Sequence, residues 1–260
     1  MSQRHGGLYN HLRMMEPLSE TGLSIVVPAY DEAERLPQTL ERIAAYIESR
    51  PFTAEVLIVD DGSRDRTAEV VREAGRRWPD VILIQNPGNQ GKGYSVRNGM
   101  LHASGRIALF TDADLSAPIE EADLLLEAIE AGNDIAIGSR GLRPELIGIH
   151  QSLFRETAGK IFNLVVRFVT GLPFKDTQCG FKAFRREAAR AIFSRQQTVG
   201  FGFDVEVLYL AKKLGFRTAE IPVRWSHNEG TKISMFGDSI RMFTDVLRVR
   251  WMDLQGKYKD

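Results

Sequence analysis

Residues 23–36 read LSIVVPAYDEAERL: an unbroken apolar run, then a proline, small residues and acids, then the start of a helical pattern. The run SIVV shows no alternation of polar and apolar residues, and VLIV at 56–59 repeats its character. Continuous apolar runs of this length suit strands of a parallel sheet covered on both faces. Working outward, the same reading gives strands over 23–29, 55–60, 81–85, 107–111 and 135–138. Helical periodicity falls between them, over 34–49, 66–77, 94–103 and 119–131, the last opened by Pro118. The order is βαβα, so the expected fold class is α/β: a Rossmann-like, doubly wound, mostly parallel sheet with helices on both faces. In such sheets ligands bind beyond the carboxyl ends of the strands, and the polar residues that follow each strand are where chemistry is to be sought.

Composition limits the alternatives. The chain has 260 residues with 34 Lys plus Arg and 34 Asp plus Glu, so no whole-molecule field gathers nucleic acid. Cys179 stands alone and forms no intramolecular disulfide, which makes the cytoplasm the expected location. The N-terminal residues lack an apolar segment of signal-peptide length. The oiliest stretch, 161–172, is interrupted by Asn163 and Arg167, well short of the roughly 20 apolar residues that span a bilayer. We expect an N-terminal tail over 1–21, one domain over 22–251 and a C-terminal tail over 252–260. Within the domain, 111–134 carries eight acids and no Lys or Arg, whereas 151–195 carries nine Lys or Arg against three acids.

Four motifs follow successive expected strands. In VVPAYDEAERL, Pro28, Tyr30 and Glu32 alternate, so they can line one side of a pocket, with Tyr30 stacking on a base and Glu32 hydrogen-bonding it. The same acids also suit a plain turn into a helix N-terminus. In VLIVDDGSRDRT, Asp60 and Asp61 can accept from a pyrimidine N–H or a ribose, or can simply cap a turn. NPGNQGKGYSVRNG is glycine-rich with Lys92 and opens a helix, a combination that presents N–H groups and a cation to phosphates. It is neither a P-loop nor a dinucleotide fingerprint: two residues separate Gly88 from Gly91, and Gly93 follows the lysine. In IALFTDADLSAP, Asp112 and Asp114 point two carboxylates the same way. A hard divalent ion, Mg2+ or Mn2+, relieves their repulsion and bridges them to a diphosphate; a capped turn is the other reading.

Taken in order, P-A-Y-D-E, V-D-D-G-S, N-Q-G-K-G, D-A-D-L, G-S-R and D-T-Q-C-G-F-K closely resemble the family 2 inverting glycosyltransferases with a GT-A fold. Within them the chain is most similar to the dolichyl- or polyprenyl-phosphate glycosyltransferases, over about 22–251. The resemblance implies a nucleotide-sugar donor, with Pro28, Tyr30, Glu32 and Asp60 or Asp61 around base and ribose, Lys92 near the donor, and Asp112 and Asp114 at the metal and diphosphate. It also implies an acceptor-side C-terminal helical region, with Asp176 at a position associated with the acceptor and Gln178 and Cys179 beside it. Cys179 itself reads as a packed small hydrophobe. I-P-V-R-W at 221–225 lacks the Gln of the processive synthases' Q-x-x-R-W. F-D-V-E at 203–206 and the extension W-S-H-N-E-G-T-K-I-S look more like the dolichyl-phosphate β-glucosyltransferase branch. UDP-glucose is therefore the expected donor, with GDP-mannose transfer as the alternative and sugar nucleotidyl transfer as a rival.

The expected chemistry is in-line attack by an acceptor phosphate oxygen on the anomeric carbon. A phosphate monoester is already an anion near neutrality, so Asp176 need not act as a base. Arg140, Arg224 and Lys232 are candidates to guide the acceptor, and His227 to approach the diphosphate. The helix expected over 158–172 has Ile161, Leu164, Val165, Phe168 and Leu172 at helical spacing. It reads as a buried helix or as an interfacial one beside a lipid, and 236–251 carries a similar face. The expected partners are a nucleotide sugar, a polyprenyl or dolichyl phosphate and the cytoplasmic face of a membrane.

Overall fold

The computed structural model describes residues 21–148, 153–226 and 235–258. Residues 1–20 of the expected N-terminal tail, His227 and Lys232 lie outside the described residues. The expected strands appear as β1 (Leu23–Ala29), β2 (Ala54–Asp60), β3 (Val81–Gln85), β4 (Ile107–Phe110) and β5 (Ile135–Ser139). Two more complete the sheet, β6 (Lys182–Arg185) and β7 (Thr218–Pro222), in the order β3-β2-β1-β4-β6-β5-β7. All pairs are parallel except those of β6, which runs antiparallel between β4 and β5. Six carboxyl ends therefore share one rim.

Register shapes that rim. Leu23 pairs with Ile107 and Val26 with Phe110, where β4 ends, while β1 continues beside β2 until Ala29 meets Asp60. The residues that follow β4 thus turn into the notch beside the end of β1.

Eight helices cover the sheet among the described residues: α1 (Leu36–Glu48), α2 (Thr67–Arg77), α3 (Lys92–His102), α4 (Ala122–Glu130), α5 (Leu153–Thr170), α6 (Arg186–Phe193), α7 (Phe203–Lys213) and α8 (Met235–Leu254). Alternate strand residues feed two cores, as burial on both faces requires. Val26, Val59 and Phe110 pack with Val96 and Met100 of α3 and with α6, α7 and α8. Ile25, Val27 and Ile58 pack with Leu36, Leu40 and Ile43, the inward stripe of α1. Phe110 is wholly buried, stacked on Phe184 at 6.2 Å and tilted against Phe203 at 5.8 Å. Truncating such a side chain to alanine costs about 3–5 kcal/mol.

One feature differs from the sequence reading, and one that it left open is divided. Residues 252–260 were expected as a tail, but α8 reaches Leu254, and Met252 and Tyr258 are 1% and 2% exposed. The Tyr258 hydroxyl donates to Glu206 at 2.7 Å, which binds this segment to α7. The apolar residues of α5 also divide: Val166 is buried in the core, whereas Ile161, Leu164 and Phe168 face outward and Phe168 is 91% exposed. α5 packs on α8, which exposes Phe243, Leu247, Trp251 and Leu254. No helix among the described residues is long and apolar enough to cross a membrane.

Candidate active site

A cleft of about 370 Å³ opens at the carboxyl rim between the ends of β1 and β4. Its first wall is the β1 exit, with Pro28, Tyr30 and Glu32. Asp31 adopts a left-handed φ of 53° that turns the chain, and loop-to-loop hydrogen bonds hold it there. Asp31 N donates to Ser63 Oγ at 2.9 Å, Glu32 N to Thr67 Oγ1 at 2.8 Å, and Arg64 N to Asp31 Oδ1 at 2.7 Å. Glu32 is paired with Arg35, also on the cleft wall, at 2.7 Å.

The V-D-D-G-S acids have different positions. Asp60 is 1% exposed, accepts from Ser63 N at 3.0 Å and Gln85 Nε2 at 3.2 Å, and is absent from the cleft wall. Asp61 reaches the wall while bracing the glycine-rich loop: it accepts from Gln90 N at 3.0 Å, Gly91 N at 2.8 Å and Asn86 Nδ2 at 2.7 Å. Gly62 is left-handed, at φ 72°, and a β-carbon there would lie 2.5 Å from the Gly88 carbonyl carbon, so glycine is required where the two loops cross.

Lys92 begins α3 and lines the cleft opposite Asp112, Nζ to Oδ1 2.6 Å. Burial opposes its charge, yet Asp112 and Asp204 outweigh burial and hold the ammonium protonated above the ordinary lysine range. The D-A-D-L segment makes a tight turn with Leu115 at φ 45°, Leu115 N donating to Asp112 O at 3.0 Å and Ser116 N to Asp114 Oδ1 at 2.9 Å. The turn is as expected, and Asp112 and Asp114 also line the cleft. Gly180, from D-T-Q-C-G, lies against Asp112: a β-carbon there would be 2.3 Å from Oδ2.

Asp176 and Arg140 form a second cluster and are not on the cleft wall, although Arg140 feels the charge of Asp112. Arg140 Nε and Nη2 donate to the Asp176 carboxylate at 2.6 and 2.9 Å, and its backbone N–H donates at 3.0 Å. Burial penalises the Asp176 anion, but the Arg140 guanidinium overrides it and brings the carboxyl down to about 2. Glu220 of β7 pins the segment by accepting from Lys175 N and Asp176 N at 2.9 and 2.8 Å. Burial pushes the Cys179 thiol up to about 12; this side chain is 1% exposed. Arg224 pairs with Glu121, Nε to Oε1 2.5 Å, and is not on the cleft wall.

Several contributors escaped the sequence reading. Arg35, Asn89, Ser95 and Phe201 line the cleft. Lys182 is fully buried, donates to Cys179 O at 2.6 Å, pairs with Asp204 and lies 5.3 Å from the Phe110 ring centroid. Glu206 is also fully buried and accepts from Gln197 N at 2.9 Å and Thr198 N at 2.7 Å, fixing the loop whose Val199 O meets Tyr94 N. The signal was available in FDVEVLYLA, where two acids sit inside an apolar helix and buried acids require partners.

No group of three or more His, Cys, Asp or Glu suited to a metal occurs among the described residues. Two carboxylates on an open wall nevertheless fit a hard cation of the Mg2+ type, which takes one or two carboxylates and completes its shell with water and substrate phosphate.

The sheet is mostly parallel with an acidic rim, and the chain belongs to glycosyl transferase family 2, whose profile matches residues 24–193. The relatives it resembles are more specific. A dolichyl-phosphate β-glucosyltransferase of Trichomonas vaginalis is 37% identical over 237 residues, 87% of this chain and 72% of that protein. The dolichyl-phosphate β-glucosyltransferase of Homo sapiens is 36% identical over 254 residues, 91% and 77% of the two chains. In fold, the chain matches a crystal structure of glucosyl-3-phosphoglycerate synthase from Mycobacterium tuberculosis in complex with Mn2+, UDP-glucose and phosphoglyceric acid. That match has a TM-score of 0.68 at 16% identity and covers 96% of this chain and 84% of the other. The expected GT-A class is thus the observed one.

Proposed function

We propose that this chain transfers glucose from UDP-glucose to dolichyl or polyprenyl phosphate with inversion, giving a lipid-phosphate-linked β-sugar. The observation that carries this reading is the shared activity of relatives aligned over about nine-tenths of the chain. The cleft supports it with an aromatic residue, two carboxylates and a lysine at the rim where β1 and β4 end.

In this reading Tyr30 stacks on the base, Glu32 hydrogen-bonds it, and Asp61 keeps the glycine-rich loop against the diphosphate. Asp60 supports the same wall from behind. Asp112 and Asp114 would hold Mg2+ or Mn2+, which when bound neutralises charge on the departing UDP. Lys92 supplies a second positive charge to the diphosphate as the glycosidic bond breaks. The acceptor phosphate oxygen attacks from the face opposite UDP, and its own charge makes a general base unnecessary. A carboxyl held at about 2 is a poor proton acceptor near neutrality, so Asp176 orients Arg140, and Arg140 guides the acceptor phosphate. Arg224 and Lys232 are further candidates for that guidance, Arg224 after release from Glu121.

The outward side chains of α5 and α8 support contact with a membrane surface. Ile161, Leu164 and Phe168 on one helix and Phe243, Leu247 and Trp251 on its neighbour expose more apolar surface than an isolated side chain does. We assign this contact to the cytoplasmic leaflet, in keeping with a chain whose one cysteine gives it no internal disulfide to form.

The test is a panel of UDP-glucose, UDP-galactose and GDP-mannose with dolichyl phosphate, with and without Mg2+, reading lipid-linked product and released nucleotide. UDP release with formation of glucosyl lipid is expected. Mannosyl lipid from GDP-mannose, or turnover that requires pyrophosphate, would overturn the assignment.

A further inference from the structure

Asp112 is confined. Its carboxylate lies over the bare α-carbon of Gly180, its carbonyl accepts from Leu115 N, and Lys92 Nζ stands 2.6 Å from Oδ1. The backbone of Lys92 is equally fixed. Gly91 precedes it at φ 101° with its N–H bound to Asp61, and Gly93 follows so close to α7 that a β-carbon would sit 2.7 Å from the Phe203 β-carbon. What can move is the four-carbon lysine side chain, which lies on the wall of the cleft.

An ammonium and a divalent ion seek the same carboxylate oxygens and repel each other when close. A diphosphate entering the cleft offers the ammonium a stronger set of acceptors than a single carboxylate. We infer that Lys92 is a built-in competitor for the cation site: it occupies Asp112 until a nucleoside diphosphate draws it away, so the cation binds tightly only together with the donor. This rests on the donor-and-cation reading of the cleft given above. Its consequence is order: without a nucleoside diphosphate the two carboxylates hold metal weakly, and donor and cation arrive as a coupled pair. By linkage, UDP raises the affinity for the cation by the same factor as the cation raises the affinity for UDP.

The experiment measures Mn2+ binding to the full chain by loss of the free-ion electron paramagnetic resonance signal, with and without UDP. It compares the wild type with Lys92→Gln, Lys92→Met and Lys92→Arg, each checked for folding by circular dichroism. The wild type should bind Mn2+ at least about tenfold more tightly with UDP than without it. The neutral variants should bind Mn2+ alone at least about fivefold more tightly than the wild type, and UDP should enhance their binding less. Lys92→Arg, which keeps a cation against Asp112, should follow the wild type. Unchanged or weaker binding of Mn2+ alone by the neutral variants, while the wild type still binds Mn2+ with UDP, overturns the competitor and spares the cleft assignment. Failure of the wild type to bind Mn2+ even with UDP overturns both.

Discussion

Replacing Gly180 by alanine would put a methyl carbon 2.3 Å from Oδ2 of Asp112 and 2.7 Å from its Cγ and Oδ1, where ordinary contact begins at 3.4 Å. Gly180 is not among the left-handed glycines, so alanine meets no backbone penalty and the whole effect is steric. The carboxylate must therefore retreat by about 1 Å, taking Lys92 with it. Asp112 is one-third exposed and has room to move into the cleft, so the cost in stability is modest, about 1 kcal/mol. The cost in rate is not, because a misplacement of about 1 Å at a reacting centre removes on the order of 10²-fold. Steady-state transfer from radiolabelled UDP-glucose to dolichyl phosphate, run beside thermal unfolding, separates the two. We expect kcat/KM to fall by about 10² with a small change in Tm. Activity within about threefold of wild type would show that the position of Asp112 is not what the D-T-Q-C-G segment protects.

Four further outcomes are expected. Asp114→Asn should keep its circular dichroism spectrum and lose at least about 10²-fold in turnover, the scale of a lost electrostatic stabiliser. Arg140→Met leaves the Asp176 carboxylate, 9% exposed, without its guanidinium, and should cost about 3–5 kcal/mol in urea unfolding. Asp176 ionises at about 2 in the fold against an ordinary 3.8. Its ion pair therefore contributes fully above about pH 4, and roughly 2 kcal/mol disappears as pH falls towards 2; unfolding of Asp176→Asn should lack that component. Phe168→Ser combined with Trp251→Ser should reduce co-sedimentation with dolichyl-phosphate vesicles at least about tenfold while sparing transfer to a short water-soluble prenyl phosphate.

The parallel half of the sheet was legible because its strands are apolar runs that end in turn residues, and β1 to β5 lie where periodicity puts them to within a residue or so. β6 was not. Its four residues, K-A-F-R, open on a lysine that reads as surface, and the anion that makes burial of Lys182 tolerable, Asp204, lies 22 residues further on. β7 was hidden likewise, with Glu220 at its centre and a proline at its end. In the cleft, residue type and strand-end position indicated Tyr30, Glu32, Lys92, Asp112 and Asp114. They did not separate a side chain that faces the cleft from one that braces it. Asp61 carries the loop 29 and 30 residues away, and the partner of Arg224 is 103 residues distant. Such pairings belong to the packed chain and leave no periodic trace.

The reversed strand has a consequence for how the enzyme can diversify. In the parallel strands the rim receives segments that are leaving the sheet, and those after β1 to β4 line the cleft. Because β6 runs the other way, the rim also receives a segment that is about to enter it, 171–181, carrying Asp176 and Gly180. Most of the cleft wall and the Asp176 segment thus hang from opposite ends of their strands. In the proposed reading, selection can rewrite the Asp176 end of this loop for a new recipient so long as Gly180 keeps its seat against Asp112.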